Sequence, residues 1–326
     1  MNTIETVGLS KHYGDRGGIG RLGRGRRERI IALDDVTLAV RPGEVFGFLG
    51  PNGAGKTTCI RLLLGFLHPT AGTARVLGLD VGRDSVAIRG EVGYLPGGIA
   101  LYDAMTGLDL LDYLGAFYRR PPVLRERLLD GLELAARDLA RPIRDYSRGM
   151  RQKLGIIQAL QHDPALAILD EPSEGLDPLM QRAFYEILDE LRAAGRTVFL
   201  SSHILSEVER VCDRVAIVRR GRLVALEEIG ALLARRRRAV EMRVEGAPPL
   251  LAGVPGVSGV VMVDGRLRCQ LEGDVRPFLA AIARSAVTDL TIEPARLEEA
   301  FLEFYEDGGG RTAGAAGGLV PGDAAS

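Results

Sequence analysis

An α/β fold on a mainly parallel sheet, carrying an inserted helical subdomain and followed by a small α+β domain, is what the sequence predicts. Three observations carry that expectation. First, the apolar runs "EVFGFLG", "ALAILDE" and "TVFLSSH" each read as buried strands that end in loops, with helical patterns between them. That order builds a parallel sheet with function at the carboxyl ends of its strands. Second, the stretch from about Leu101 to Arg141 has helical periodicity, few strand signals and the breaker "RRPPV" at Arg119 to Val123, so it reads as helices inserted in the sheet domain. Third, the texture changes near Arg235. The short alternating segments "AVEMRVEG", "GVVMVDG" and "RLRCQLEG" precede a helix from about Val275, a strand "DLTIE" and a last helix "ARLEEAFLEFYED".

These boundaries divide the 326 residues into a sheet domain at 1–230, with its helical part at about 98–150, and an α+β domain at 235–306. The tail at 307–326, Asp307 followed by "GGGRTAGAAGGLVPGDAAS", carries too little apolar bulk to offset chain entropy and is expected to be disordered.

The formal net charge of −1 gives no general attraction to nucleic acid or acidic membrane, so any basic partner surface must be local. Two clusters qualify, Arg21 to Arg29 and Arg235 to Arg238. The first lies in "GDRGGIGRLGRGRRER", an irregular loop between two strand-like pieces; it reads either as a solvated insertion or as a contact for phosphate or lipid head groups. Cys59, Cys212 and Cys269 are scattered without metal-ligand spacing, which fits unpaired packing residues in a reducing compartment. No basic, apolar and small-residue succession marks a leader, and no apolar run approaches the roughly 18 residues of a membrane span. A cytosolic chain is expected, with another polypeptide doing any membrane crossing.

The chemistry begins at Gly50-Pro51-Asn52-Gly53-Ala54-Gly55-Lys56-Thr57-Thr58, which follows a strand and opens the helix "TTCIRLLLGFL". Glycines let the backbone curl so that several N–H groups and the positive helix end face phosphate oxygens. Lys56 is placed to bridge the outer phosphates and the Thr57 hydroxyl to ligate Mg²⁺, which an ordinary glycine turn would not require. Asp170 ends a buried strand and can hold Mg²⁺ directly or through water, while Glu171 is placed to orient or deprotonate an attacking water. His203, after "TVFLSS", is a candidate for the γ-phosphate, although an isolated histidine there would be a capped structural residue by default. Ser147 and Gly149, in "RDYSRGMRQK", look like a second helix start offered to an anion, or else an ordinary capped helix.

Together these motifs resemble the ATP-binding cassette family, the nucleotide-hydrolysing subunits of ABC transporters, over about Thr3 to Ala225. The resemblance implies ATP and Mg²⁺ as cofactors. It implies that Tyr13 stacks on adenine, that "YSRGMRQKL" is the family signature with Ser147, Arg148, Gly149 and Met150, that "SSHILSEVE" bears the switch histidine, and that Asp177 in "EGLDP" contacts the other subunit. It implies also that the signature serves the γ-phosphate of ATP held by a partner's phosphate loop, so that two chains sandwich two nucleotides head to tail. A second anion site in one chain then has a purpose.

Three features depart from the family pattern. After "GYLP" the usual glutamine is replaced by Gly97 and Gly98, removing a side chain expected to touch Mg²⁺ and sense the membrane partner. The signature has Arg148 where glycine is common and Met150 where glutamine is common. The basic loop separates Tyr13 from the next strand by more residues than usual. Within the family, one cassette with a C-terminal α+β domain ending in "TIEPARLEEAFLEFYE" resembles the ATPase subunits of bacterial drug, antibiotic or polysaccharide exporters, which act as a homodimer on a separate integral-membrane permease at the cytoplasmic face. The arginine runs motivate an alternative, a cassette ATPase acting on nucleic acid or ribosomes, but one phosphate loop and no long heptads argue against it. An importer subunit would carry a barrel-like C-terminal domain, which the order strand, helix, strand, helix opposes. Leu297, Phe301 and Phe304 form an apolar stripe that either extends a dimer contact or covers its own sheet.

Overall fold

The computed structural model describes residues 1–14, 30–234 and 238–293. The basic loop at 15–29, most of the Arg235 to Arg238 run, the last helix with Leu297, Phe301 and Phe304, and the tail lie outside the described residues.

Three sheets organise the described residues. The first is antiparallel, in the order β2-β1-β4-β5, from β1 (Ile4–Tyr13), β2 (Ile30–Val40), β4 (Ala71–Val76) and β5 (Leu79–Asp80). The second has the order β10-β9-β3-β8-β7-β6 and comprises β3 (Val45–Leu49), β6 (Val92–Leu95), β7 (Leu166–Asp170), β8 (Thr197–Ser202), β9 (Arg214–Arg219) and β10 (Arg222–Glu228). Its five strands β9, β3, β8, β7 and β6 run parallel, and only β10 pairs antiparallel, against β9. The third, order β12-β13-β11-β14, is antiparallel and holds β11 (Arg238–Glu245), β12 (Val257–Val263), β13 (Arg266–Leu271) and β14 (Ala286–Ile292).

The parallel strands read as unbroken apolar runs because both their faces are covered. In β3, Val45 and Leu49 enter one core while Phe46 and Phe48 enter the other. β7 and β8 split the same way, with Leu169 and Leu200 on the first side and Ile168 and Phe199 on the second. The first core lies under α3 (Gly107–Gly115), α4 (Arg125–Gly131), α5 (Ala136–Leu139), α6 (Arg148–Leu160), α7 (Pro178–Ala193), α8 (Leu205–Val211) and α9 (Ile229–Ala234), which supply residues such as Leu110, Leu128, Ile157 and Phe184. The second is closed by α1 (Lys56–Leu63), α2 (Ser85–Glu91) and the antiparallel sheet, through Ile60, Leu63, Ile88 and Leu38. Phe199 joins this side by ring contacts with Phe46 and Phe48 at centroid distances of 5.8 and 5.4 Å. The C-terminal sheet has its own core, in which Val240, Met242, Leu267 and Leu271 meet Phe278 and Ile282 of α10 (Arg276–Ile282).

The first, antiparallel sheet was not explicit in the sequence reading. Its role is positional: β2 runs against the phosphate loop, where Ala32 packs on Gly55. All three cysteines are buried and unpaired, and burial pushes the Cys59 thiol up to about 12, so it stays protonated. Among the described residues no helix is long and apolar enough to cross a membrane.

Candidate active site

Three parallel strands end side by side, and their carboxyl ends carry the site. Gly50 follows β3, Glu171 follows β7 and His203 follows β8. Backbone bonds bind the three turns together: Gly50 N–H donates to Ser202 O at 3.2 Å and Glu171 N–H to Ser201 O at 3.1 Å.

The loop after β3 curls through Gly53 and Gly55, both at positive φ (80° and 106°). Gly55 is also required by space, since a Cβ there would lie 2.3 Å from Ala32 O. The first bond of α1 runs from Cys59 N–H to Gly55 O at 2.9 Å. The N–H groups of Lys56, Thr57 and Thr58 therefore precede the helical ladder and, with the helix dipole, form an anion-binding end.

Lys56 is buried, and its Nζ donates to Gly50 O at 2.7 Å and lies 3.1 Å from Glu171 Oε1. The other carboxylate oxygen of Glu171 is 2.7 Å from His203 Nδ1. Glu171 adopts a left-handed backbone (φ 52°), which costs on the order of 1 kcal/mol for a non-glycine residue and turns its side chain back over the loop. Asp170 is buried; one oxygen accepts from Thr57 Oγ1 at 2.8 Å and the other from the Ser201 hydroxyl. Gly97 sits against the same carboxylate, because a Cβ there would be 3.0 Å from Asp170 Oδ2.

The structure thus brings together Gly50 to Thr58, Asp170, Glu171 and His203. Tyr13 lies at the end of β1, where Tyr13 pairs with Ile30 and Lys11 with Leu33, on the hairpin that abuts Gly55. Lys11 Nζ lies 5.3 Å from the centroid of its half-exposed ring. The signature residues stand elsewhere. Ser147 caps α6 by accepting from Met150 N–H at 3.2 Å, and Arg148 pairs with Glu174. Gly149 faces Gly175 O, which an added Cβ would approach to 3.1 Å. Asp177 caps α7, accepting from Leu179 N–H and Met180 N–H at 3.0 Å each. Among the described residues no hydrogen bond or ion pair joins Ser147 to Met150 with Gly50 to Thr58.

Sequence reasoning did not single out Ser201, which holds Asp170, or Ser202 and Glu207, which lie behind His203. The signal available was their place in "SSHILSEVE"; their burial was not visible. Among the described residues no group of three or more His, Cys, Asp or Glu side chains could hold a metal. Thr57 and Asp170 offer two hard oxygen donors, which suits a cation that takes its remaining ligands from phosphate and water.

Residues 33–174 match the family described as ABC transporter. An ABC transporter ATP-binding protein of Nostoc sp., uncharacterized by its name, is 41% identical over 237 residues, which span 71% of this chain and 68% of the relative. The Nod factor export ATP-binding protein I of Mesorhizobium japonicum is 32% identical over 307 residues, 92% of this chain and 86% of that protein. Among solved structures, an ATP-binding subunit of an ABC transporter superposes with a TM-score of 0.61 at 32% identity, covering 71% of this chain and 91% of its own. Fold, loop chemistry and relatives agree: the chain belongs to the family of ABC transporter ATP-binding proteins, ATPases that couple ATP hydrolysis to transport.

Proposed function

We propose that this chain is the motor subunit of an exporter, working as a homodimer on a separate integral-membrane permease at the cytoplasmic face of the membrane. The observation that carries the reading is the separation of two anion-binding ends in one chain: a complete phosphate loop at Gly50 to Thr58, and a capped helix start at Ser147 that, among the described residues, makes no hydrogen bond or ion pair with it. A single chain leaves the second end without a phosphate; two chains arranged head to tail give each nucleotide one of each.

In this reading the α1 N–H groups and Lys56 bind the triphosphate, and Tyr13 stacks on the adenine. Thr57 and Asp170 would hold Mg²⁺, which when bound neutralises charge on the outer phosphates. Glu171 orients the attacking water and accepts its proton, and His203 reaches the γ-phosphate. Ser147, Arg148, Gly149 and Met150 serve the partner's nucleotide, and Asp177 the subunit contact. Hydrolysis removes the γ-phosphate between the chains and loosens the dimer, which converts chemistry into motion.

Two further observations support the permease and the direction of transport. A cavity of about 580 Å³ lies between the sheet and the helices, lined by Phe66, Tyr94, Leu101, Tyr102, Leu114 and Tyr118. Phe66 and Tyr102 are more than half exposed there, a surface suited to an apolar partner element. The likeness to an export protein spans 92% of the chain and so takes in the C-terminal sheet as well as the cassette.

The test is ATP turnover and mass in solution. Glu171→Gln should lower turnover by about 100-fold or more while ATP raises the mass of the variant to that of a dimer. Turnover at the wild-type rate would remove Glu171 from its role.

A further inference from the structure

Glu207 is the least expected charge near this site. It lies in the first turn of α8, is 1% exposed, and no step of the hydrolysis described above uses it. Burying a carboxylate is costly unless hydrogen bonds replace water. Burial pushes its pKa up, while the Ser202 and Ser173 hydroxyls favour the charged form. Of its two oxygens, Oε2 accepts from Ser202 Oγ at 2.5 Å, and Oε1 has no hydrogen-bond partner among the described residues. A group kept at such a cost invites a functional explanation.

The connections around it supply one. Ser202 Oγ donates to Glu207 and accepts from Ile204 N–H at 3.0 Å, so one hydroxyl clamps both sides of His203. Ser202 O accepts from Gly50 N–H, which ties the same turn to the phosphate loop. Ser173, 3% exposed and close to the Glu207 carboxylate, follows Glu171 by two positions. Glu207 thus stands where the turn bearing His203 meets the turn bearing Glu171, directly behind the His203 Nδ1 to Glu171 Oε2 contact of 2.7 Å. His203 itself is well exposed, its side chain 44% accessible.

We propose that Glu207 is a positioning residue for ATP hydrolysis: through Ser202 it fixes the turn that holds His203 against Glu171. This rests on the hydrolytic roles given above to His203 and Glu171. The α1 N–H groups and Lys56, given above the task of gripping the phosphates, are not part of this clamp, so on the proposal the clamp bears on turnover far more than on affinity. Misplacing a reacting group by on the order of 1 Å can cost roughly 100-fold in rate.

The experiment is a double-mutant cycle on the full chain. Glu207→Leu, close in size and unable to accept a hydrogen bond, should lower kcat by about 10- to 100-fold and leave the Kd for ATP within about twofold. Glu207→Gln keeps an acceptor for Ser202 and should recover most of that loss. In a His203→Ala background Glu207→Leu should add little, because both act through one group. Ser202→Ala removes the same link without placing an apolar group in the core, and should reproduce the split between kcat and Kd if Glu207→Leu fails to fold. Equal losses of kcat from Glu207→Leu with and without His203 would overturn the proposal and leave the hydrolytic reading intact. Unchanged turnover in His203→Ala alone would remove His203 from that reading, and the proposal with it.

Discussion

Lys56 does two jobs with one ammonium group. In the structure it closes the loop on itself through Gly50 O and meets Glu171 Oε1, both side chains being largely shielded from water. On the roles proposed above, a triphosphate would compete with Glu171 for the same charge, so the carboxylate would oppose nucleotide binding even as it promotes hydrolysis. Glu171→Gln should therefore bind ATP more tightly, by on the order of 1 kcal/mol or about fivefold in Kd, in an equilibrium titration under conditions where no turnover occurs. An unchanged or weaker affinity would show that the ion pair does not compete. Lys56 and Thr57 were legible in the sequence because loop geometry and phosphate chemistry need contiguous residues. Their partners were less so: that Glu171 meets Lys56, or that Gly97 abuts Asp170, depends on which strand ends lie side by side.

At the scale of elements, the loop from α6 to β7 carries an unusual histidine. His162 is buried, stacks on Tyr118 at a centroid distance of 3.5 Å, and has no hydrogen-bond partner for either ring nitrogen among the described residues. Burial, and next the nearby Arg120 charge, push its pKa down to about 4. The unfolded chain takes up this proton first, near the ordinary histidine value of about 6.5. The stability contributed by the neutral ring is thus complete above that pH and is lost as pH falls toward 4, by about 3 kcal/mol in all. His162→Phe keeps the stack and removes the titration. Its urea midpoint should fall less steeply than that of the wild type between about pH 6.5 and 4.5; parallel slopes would contradict this. The strands of the parallel sheet were readable as apolar runs. The antiparallel sheet was not, because β1, β2 and β4 mix buried and exposed residues at irregular spacing, with bulges that break the alternation. Glu207 was hidden for a related reason: a glutamate four residues after His203 reads as a solvated helix face until packing shows it is buried.

For the whole molecule, the core of the C-terminal sheet shares no residue with the two cores that build the nucleotide site. A chain ending at residue 234 should accordingly bind ATP with a Kd within about twofold of the full chain, measured by titration. A larger change would mean that the C-terminal sheet shapes the site. The division of labour between chains is the deeper claim, and mixing tests it. Lys56→Ala disables the phosphate loop and Ser147→Arg disables the capped helix start, so each variant alone should be inactive. In a mixed dimer both lesions fall in one composite site and leave the other intact. ATP turnover of the mixture, compared with the sum of the two separate variants, is the most direct measurement. The account predicts that mixing restores turnover, up to about half the wild-type rate per mixed dimer if the two sites act independently; turnover no higher than the sum of the separate variants would contradict it.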